Sequence, residues 1–319
     1  MKTITVAHVS DLHLPFEPKL GPGQRLSKRQ LSAWAWRRRR SIQSAEVLGA
    51  LAAELRAADL DHIVITGDVV NFALPEEFAR AASWLQALAP ADRISVVPGN
   101  HDALVPVVES EGLGRWSAWT SADDCWPFVH RRQGLALIGL NSALPTAPLL
   151  ARGRIGARQL ARLEAVLNEE GRAGRVRVVL MHHPVADGAV SWRRALSDRA
   201  ELRAVLQRAG TELVLHGHAH HARLDALQGP EGTRGMIPCL CVPSSSALPN
   251  TTDEAARWHR LRFLPYGRVE VAIRQWSAAE ARFTDAGCYE ICLPRRVTEA
   301  ISVPASIDRS SMHFAQTAA

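Results

Sequence analysis

The stretch Ile94-Ser95-Val96-Val97-Pro98-Gly99-Asn100-His101-Asp102 decides the fold class. Its first four residues predict a short buried strand, and Gly99 then turns the chain into three polar side chains. In open α/β sheets, ligands bind at the carboxyl ends of the strands. The alternation of strands and helices along the chain, followed by a β-rich end, agrees with this arrangement. The sequence therefore predicts an α/β protein with a functional site at its strand ends.

Four more segments place polar residues directly after predicted strands. They are Asp11-Leu12-His13, Gly67-Asp68, His182-His183-Pro184 and Gly217-His218-Ala219-His220. Together the segments offer carboxylate, amide and imidazole donors without a thiolate, a set that suits Mn, Fe, Co or Zn ions better than a structural zinc site. So many donors predict two divalent transition metal ions, which can clamp a phosphate and generate a hydroxide nucleophile from metal-bound water at neutral pH.

In this order the five segments resemble the signature of the calcineurin-like metallophosphoesterase superfamily, D-x-H, G-D, G-N-H-[DE], H and G-H-x-H. The set runs from residue 11 to residue 220, about two thirds of the chain. The resemblance implies a four-layered α/β/β/α sandwich with a dinuclear metal site at the strand ends. It also implies a metal-dependent phosphoesterase.

The resemblance further implies a role for each matching position. The ligands of the first metal would be Asp11, His13 and His220. The ligands of the second metal would be Asn100, His182 and His218. Asp68 would bridge the two ions, and His101, oriented by Asp102, would protonate the leaving oxygen. His182 is preferred to His183 because the family's ligand stands two residues before the proline.

Other polar residues receive structural interpretations. His8 and His62 lie in predicted strands and are expected to be hydrogen-bonded there, whereas His216 and His221 either pack or support the metal ligands. Asn71 is expected to brace the Asp68 loop. The five cysteines include no Cys-x-x-Cys pair, which indicates reduced thiols in the core of a cytosolic protein.

Composition and length favour one soluble globular domain. The chain has 319 residues, of which 47% are hydrophobic and 22% charged, and these values exclude a disordered or collagen-like protein. No apolar run reaches the roughly 18 residues of a membrane span, and no signal peptide is evident. We therefore predict a cytoplasmic domain over residues 1–292 and a loosely attached C-terminal extension over residues 293–319.

The net charge of +6 comes from one segment. Eight basic residues and no acidic one lie between Glu17 and Glu46, within a basic insertion at residues 19–41 and a long helix predicted over residues 28–58. The rest of the chain is nearly balanced in charge, which argues against specific nucleic-acid binding. With Trp34 and Trp36, the insertion is typical of a helix at an anionic membrane surface, although a solvated basic face or a guide for an anionic substrate also fits.

The substrate class stays open between three alternatives. The runs at residues 180–184 and 241–246 resemble the branch of class III cyclic-nucleotide phosphodiesterases and glycerophosphodiesterases, so a phosphodiesterase is favoured. The second alternative is a hydrolase of a lipid-linked phosphoester or pyrophosphate at the membrane surface, similar to the enzymes that cleave UDP-diacylglucosamine. The third is a non-enzymatic scaffold. Aromatic residues that either contact a base or acyl chain or pack under loops are Trp116, Trp119, Trp126, Phe128 and Trp192.

Overall fold

Two six-stranded β-sheets form the centre of the protein. The structure is a computed structural model and describes residues 3–21, 23, 27–39, 42–121, 125–250 and 253–296. In spatial order, the first sheet contains β13 (Arg282–Cys292), β12 (Arg268–Ser277), β11 (Arg257–Leu264), β1 (Ile4–Val9), β2 (His62–Ile65) and β3 (Ile94–Val96). The second contains β4 (Phe128–Arg132), β5 (Leu135–Gly139), β6 (Val176–Leu180), β7 (Leu213–His216), β10 (Ile237–Cys241) and β8 (Arg223–Leu227).

Helices cover the outer faces of both sheets. The five described α-helices are α1 (Lys28–Arg39), α2 (Ala45–Ala57), α3 (Pro75–Leu88), α4 (Ala157–Arg172) and α5 (Arg199–Ala209). One apolar cluster joins α2 and α3 to the first sheet, another joins α4 and α5 to the second, and a third lies between the sheets. Each sheet thus buries both faces, and the predicted four-layered α/β/β/α sandwich is confirmed.

The strand directions bring the predicted segments to one edge. β1, β2 and β3 pair in parallel in the first sheet, as do β5, β6, β7 and β10 in the second. Parallel strands present their carboxyl ends at the same edge, and each predicted segment follows one of these strands. The fold therefore gathers distant parts of the chain at one site.

The prediction of a single helix over residues 28–58 is wrong. The structure has two helices, α1 and α2, and Gln43, which lies between them, forms an isolated bridge with Ala247. Ser44 then starts α2, because its side chain accepts a hydrogen bond from the backbone N–H of Val47. The apolar periodicity of the sequence continues from α1 into α2 and therefore does not reveal where α2 begins.

The packed region extends past the predicted boundary at residue 292. Leu293 is buried, and β14 (Arg295–Arg296) pairs with β9 (Thr233–Arg234). The remainder of the predicted extension, residues 297–319, lies outside the described residues. Among the described helices, none combines the length and the apolar character that a membrane crossing requires.

Two sets of residues outside the motifs also have clear positions. Trp116, Trp119, Trp126 and Phe128 are buried, which confirms their packing interpretation, whereas Trp192 is exposed. Cys239 and Cys241 are buried as predicted. The prediction of core positions is wrong for the other cysteines, because they lie on exposed surface: Cys125, Cys288 and Cys292.

Candidate dinuclear metal site

Tight left-handed turns present the candidate ligands. The donors with a φ between 43° and 68° are Asp11, His13, Asp68, His218 and His220. This conformation costs an ordinary residue roughly 1–2 kcal/mol and persists only where the surroundings hold it. At Gly99 the chain approaches Asp68 so closely that an added Cβ would lie 2.2 Å from the carboxylate Oδ1. Backbone strain and close approach therefore coincide at the predicted site.

The first cluster consists of Asp11, His13 and His220. One donor atom from each residue lies within 4.8 Å of the others. Asp11 Oδ1 is fully buried without a hydrogen-bond partner among the described residues, and it lies 3.3 Å from His220 Nε2. A buried carboxylate oxygen without a partner is costly unless a cation fills its coordination, so this cluster fits a metal ion.

The second cluster forms around His182 Nε2. This atom lies 3.1 Å from His218 Nδ1, 3.2 Å from Asn100 Oδ1 and 3.4 Å from Asp68 Oδ2. Two donors each about 2.1 Å from one ion are separated by about 3.0 Å at a right angle and about 3.4 Å at a tetrahedral angle. The separations therefore match the edges of a coordination shell, and the four predicted donors fit a second ion.

Asp68 lies between the two clusters. Its Oδ1 accepts a hydrogen bond from the His101 backbone N–H at 2.8 Å. Its Oδ2 lies 3.4 Å from His182 Nε2 in the second cluster and 3.9 Å from His13 Nε2 in the first. Asp68 thus occupies the position that a bridging ligand requires, and a single oxygen faces both clusters.

Acceptors behind the histidines orient the rings toward the clusters. His182 Nδ1 donates to the Thr66 carbonyl at 2.7 Å, and His218 Nε2 donates to the Arg194 carbonyl at 2.9 Å. In each ring the other nitrogen is left to face the donor cluster. His183 instead pairs through Nδ1 with Ser142 Oγ at 2.8 Å, outside the described donor clusters.

The structure corrects the expected partnership of His101 and Asp102. His101 Nδ1 donates to the Asn71 carbonyl at 2.8 Å, so this carbonyl orients the ring. The Asp102 carboxylate instead accepts hydrogen bonds from the backbone N–H groups of Val69, Val70 and Gly99. The short side chain of Asp102 thus points toward the loop that carries Asp68 and stabilises that loop.

Asn71 connects three parts of the site. Its side chain donates to the Leu14 carbonyl at 2.9 Å, which confirms that it braces the loop after β2. Buried Glu77 accepts the backbone N–H groups of Asn71, Phe72 and Leu74, and so holds the Asn71 carbonyl against His101. None of the sequence motifs indicated Glu77, because this residue lies in an ordinary amphipathic helix, α3.

Asp253 is a second residue that the motifs missed. Its Oδ1 accepts a 2.5 Å hydrogen bond from His220 Nδ1, leaving His220 Nε2 toward the first cluster. Arg194 contributes both its carbonyl and its guanidinium to His218, since the guanidinium donates to the His218 carbonyl. The serines of the run at residues 241–246 also support the site: Ser244 and Ser246 donate to the carbonyls of Asp11 and Leu12.

The electrostatics favour cations at both clusters. Burial opposes charge on His220, yet the Asp11 and Asp253 carboxylates raise its pKa to about 9. Burial likewise opposes charge on His182, yet Asp68 raises its pKa to about 9. Burial, followed by the neighbouring His101, lowers the pKa of His13 to about 3, so this ring is a neutral donor. The buried carboxylates thus create a negative potential at both clusters, which favours a cation there.

Five of the seven candidate metal ligands form part of the floor of a cleft of about 640 Å³: His13, Asp68, Asn100, His218 and His220. Leu31, Ala35 and Trp36 of α1 line one wall, and Leu104, Leu149 and Leu150 contribute further apolar surface. Lys28 ties α1 to the loop at residues 146–150, since its Nζ donates to Thr146 Oγ1 at 2.6 Å and to the Leu150 carbonyl at 2.8 Å. The basic insertion therefore supplies part of the cleft itself.

Sequence comparison supports the family indicated by this geometry. The profile described as Calcineurin-like phosphoesterase matches residues 4–222, and the chain belongs to that family. No curated protein matches the chain. The family and the overlapping groups of Asp and His donors define a metal-dependent phosphoesterase, that is, an enzyme rather than the scaffold alternative.

Two solved structures are similar in fold. A dimetal phosphatase from Danio rerio has a TM-score of 0.54 at 14% identity, covering 88% of this chain and 98% of that chain. Purple acid phosphatase PPD1 from yellow lupin (Lupinus luteus) seeds has a TM-score of 0.58 at 13% identity, covering 91% of this chain and 54% of that chain. At such identities the likeness concerns the fold alone, so assignment to the class III phosphodiesterase branch stays a prediction.

Proposed function

We propose that the protein hydrolyses a phosphodiester that carries a bulky apolar group, with two divalent transition metal ions as cofactors. The observation that carries the proposal is the cleft, which joins a floor of metal donors to the apolar wall of α1. The first ion would be held by Asp11, His13 and His220. The second would be held by Asn100, His182 and His218, with Asp68 shared. When bound, such ions neutralise phosphate charge and lower the pKa of coordinated water.

The chain's own residues would then orient the ester and deliver a proton. His101 lines the cleft, and its Nδ1 donates to the Asn71 carbonyl, so in this proposal Nε2 would contact the leaving oxygen. Proton donation at that oxygen is general acid catalysis. Asp102 contributes indirectly, because it keeps the loop of Asp68 and the turn at Gly99 together.

The cationic groups beside the floor support a diester. In the described part of the chain, Lys28 and Arg194 are the cationic side chains that line the cleft, and protein carbonyls accept hydrogen bonds from both. A monoester dianion carries one more charge than a diester and gains more from cations without protein partners. Because N–H donors of both side chains are already engaged, they have fewer hydrogen bonds to offer a phosphate, which favours the ester with fewer charged oxygens.

A lipid-linked phosphoester or pyrophosphate is the second candidate. The apolar side chains at the mouth favour it, because Leu31 and Leu149 line the cleft while remaining 48% and 81% exposed. Exposed aliphatic side chains beside a phosphoester site suit an acyl or prenyl chain that enters from outside. Activity that requires mixed detergent micelles would favour this candidate over a small soluble diester.

Hydrolysis of paired aryl esters tests the proposal. With Mn²⁺ supplied, we expect kcat/KM for bis(4-nitrophenyl) phosphate to exceed that for 4-nitrophenyl phosphate by about tenfold or more. Leu31→Gln should raise KM for an alkyl aryl diester with a long chain and leave KM for the methyl ester unchanged, whereas the control Leu31→Met should change neither. A preference for the monoester would contradict the diester assignment, and equal effects of Leu31→Gln on both diesters would contradict the apolar wall.

A further inference from the structure

Three segments form a continuous rim on one side of the cleft. They are residues 27–39, 143–156 and 188–197. Lys28 Nζ ties the first segment to the second through Thr146 and Leu150. The backbone N–H of Ala151 donates to the Arg193 carbonyl and ties the second segment to the third. The rim therefore joins the basic insertion to two loops that the charge distribution of the sequence did not single out.

The rim carries charge of one sign. Its nine basic residues are Lys28, Arg29, Arg37, Arg38, Arg39, Arg152, Arg154, Arg193 and Arg194, and it contains no acidic residue. Where the structure describes these side chains, none forms an ion pair with a carboxylate within 4.0 Å, and Lys28, Arg29 and Arg194 donate to carbonyl oxygens instead. A carbonyl does not neutralise a cation, so the rim keeps a net positive charge, although Glu77 and Glu76 lie near Arg29 and the Asp198 carboxylate accepts the backbone N–H groups of Ile155 and Gly156.

The rim also concentrates exposed apolar side chains. Half of the eight large exposed hydrophobic residues in the described chain lie on it: Leu31, Trp34, Leu149 and Trp192. Leu31 and Trp34 are three residues apart on α1 and so share one helix surface. The Trp192 ring lies 5.7 Å from the Arg152 guanidinium and 5.5 Å from that of Arg193, which places an aromatic body beside two charges.

We propose that this rim docks the protein on an anionic lipid bilayer, with the cleft opening toward the membrane surface. Basic residues would meet the lipid phosphates, the tryptophans would lie at headgroup depth and the leucines would contact the acyl boundary. Nucleic acid fits less well, because the most exposed member of the set, Leu149, is aliphatic and does not stack on bases. This inference concerns a surface and stands whether the substrate is a small diester or a lipid-linked ester.

Vesicle sedimentation of the full chain tests the docking surface. The vesicles are phosphatidylcholine alone or with about one third phosphatidylglycerol, at about 0.05 M and about 0.5 M salt. We expect binding to the anionic vesicles at low salt, little binding to neutral ones, and a marked loss at high salt because exposed charges are screened. Failure of wild-type protein to sediment with anionic vesicles at low salt would overturn the inference.

Paired variants separate the two contributions. Arg37→Gln with Arg193→Gln should weaken binding by about fivefold for each arginine, and Trp34→Ser with Trp192→Ser should also weaken it. The matched control Arg282→Gln with Tyr266→Ser removes an exposed arginine and an exposed aromatic residue away from the rim and should bind normally. If the arginine pair weakens binding and the tryptophan pair does not, docking with the tryptophans at headgroup depth would be overturned, because the result would indicate simple electrostatic adsorption.

Two further measurements complete the test. A single-stranded oligonucleotide that binds more tightly than the anionic vesicles and displaces them would reassign the surface to nucleic acid and overturn the inference. Hydrolysis of bis(4-nitrophenyl) phosphate should remain at the wild-type rate in both variant pairs. Loss of vesicle binding with intact hydrolysis would therefore concern the docking surface alone, and not the proposed reaction.

Discussion

Asp253 Oδ1 accepts a 2.5 Å hydrogen bond from Nδ1 of His220, and His220 Nε2 lies 3.3 Å from Asp11 Oδ1. The imidazole thus stands between two carboxylates, one behind it and one within the first donor cluster. A carboxylate behind a histidine ligand fixes the ring's orientation and increases its basicity as a donor. Asp253 would therefore position His220 as a ligand of the first metal, although it lies more than 30 residues from His220 in sequence.

Replacing this carboxylate should weaken one metal position selectively. We expect Asp253→Asn to lower the affinity of the first metal by about 10–100-fold and to change that of the second much less. Titration with a chelator, followed by elemental analysis, measures the two affinities. The control Glu254→Gln alters the adjacent carboxylate, which lies 3.5 Å from the exposed His221. Equal loss of both metals in Asp253→Asn would contradict a role confined to His220.

His101 should matter most for esters with poor leaving groups. Its ring lines the cleft, and its Nδ1 is bonded to the Asn71 carbonyl. Since a general acid contributes about 10²–10⁴-fold, His101→Ala should lower kcat by that factor for an alkyl leaving group and by much less for nitrophenolate. Metal content should stay at the wild-type level. Equal losses for the two leaving groups would contradict proton donation by this residue.

Asp102 should affect stability before it affects proton transfer. Asp102→Ala removes the acceptor of three buried backbone N–H groups, and each orphaned group costs about 1–3 kcal/mol. We expect the free energy of unfolding to fall by about 3 kcal/mol or more, as measured by urea denaturation. Asp102→Asn retains one carbonyl acceptor, so its free energy of unfolding should decrease less.

The alternative role of Asp102, orienting His101, predicts a different pattern. In that case Asp102→Asn would shift the pH–rate profile while leaving the free energy of unfolding near the wild-type value. The observed contacts favour the stability effect, because both carboxylate oxygens of Asp102 accept backbone N–H groups.

The donor residues were predictable from sequence because each motif is local. Two ligands spaced by one residue, as in Asp11-x-His13, need only a strand end and a tight turn to face one point. The residues behind the donors were not predictable in this way. Glu77 and Asp253 act through hydrogen bonds to loops, and their own neighbours in sequence carry no recognisable pattern.

The fold shows the same division between local and distant information. The strand predicted at His62 is present as β2, whose four residues are all buried and mostly β-branched. β13 lies in the β-rich end that was predicted, but its bounds were not, since only Phe283 and Ile291 of its eleven residues are buried and no apolar alternation results. Between α1 and α2, Gln43 pairs with Ala247, a contact across 204 residues that no local pattern carries.

Buried histidines away from the metal donors should make the protein sensitive to acid. Burial, followed by Arg132, His130 and Arg93, lowers the pKa of His62 from 6.5 to about 3. His62 Nε2 pairs with Ser95 Oγ at 2.7 Å, as predicted for a hydrogen-bonded strand residue. A histidine whose pKa is lowered in the folded state binds its proton mainly after unfolding. Its contribution to stability is therefore complete above pH 6.5 and declines as the pH falls toward 3.

The size of the effect follows from the distance below pH 6.5. The value pH 5 lies about 1.5 units below the ordinary histidine pKa of 6.5. At this pH, protonation of His62 therefore stabilises the unfolded chain by about 2 kcal/mol. Wild-type protein should lose that amount between pH 7 and pH 5 relative to His62→Gln, whose side chain does not titrate. The comparison is a difference between two proteins at each pH, so the opposite contributions of His182 and His220 cancel. Urea denaturation at pH 7 and pH 5 measures this difference in the free energy of unfolding. His221→Gln, at an exposed site, serves as the control. A wild-type pH dependence that His62→Gln reproduces unchanged would show that burial of His62 is not a source of acid sensitivity.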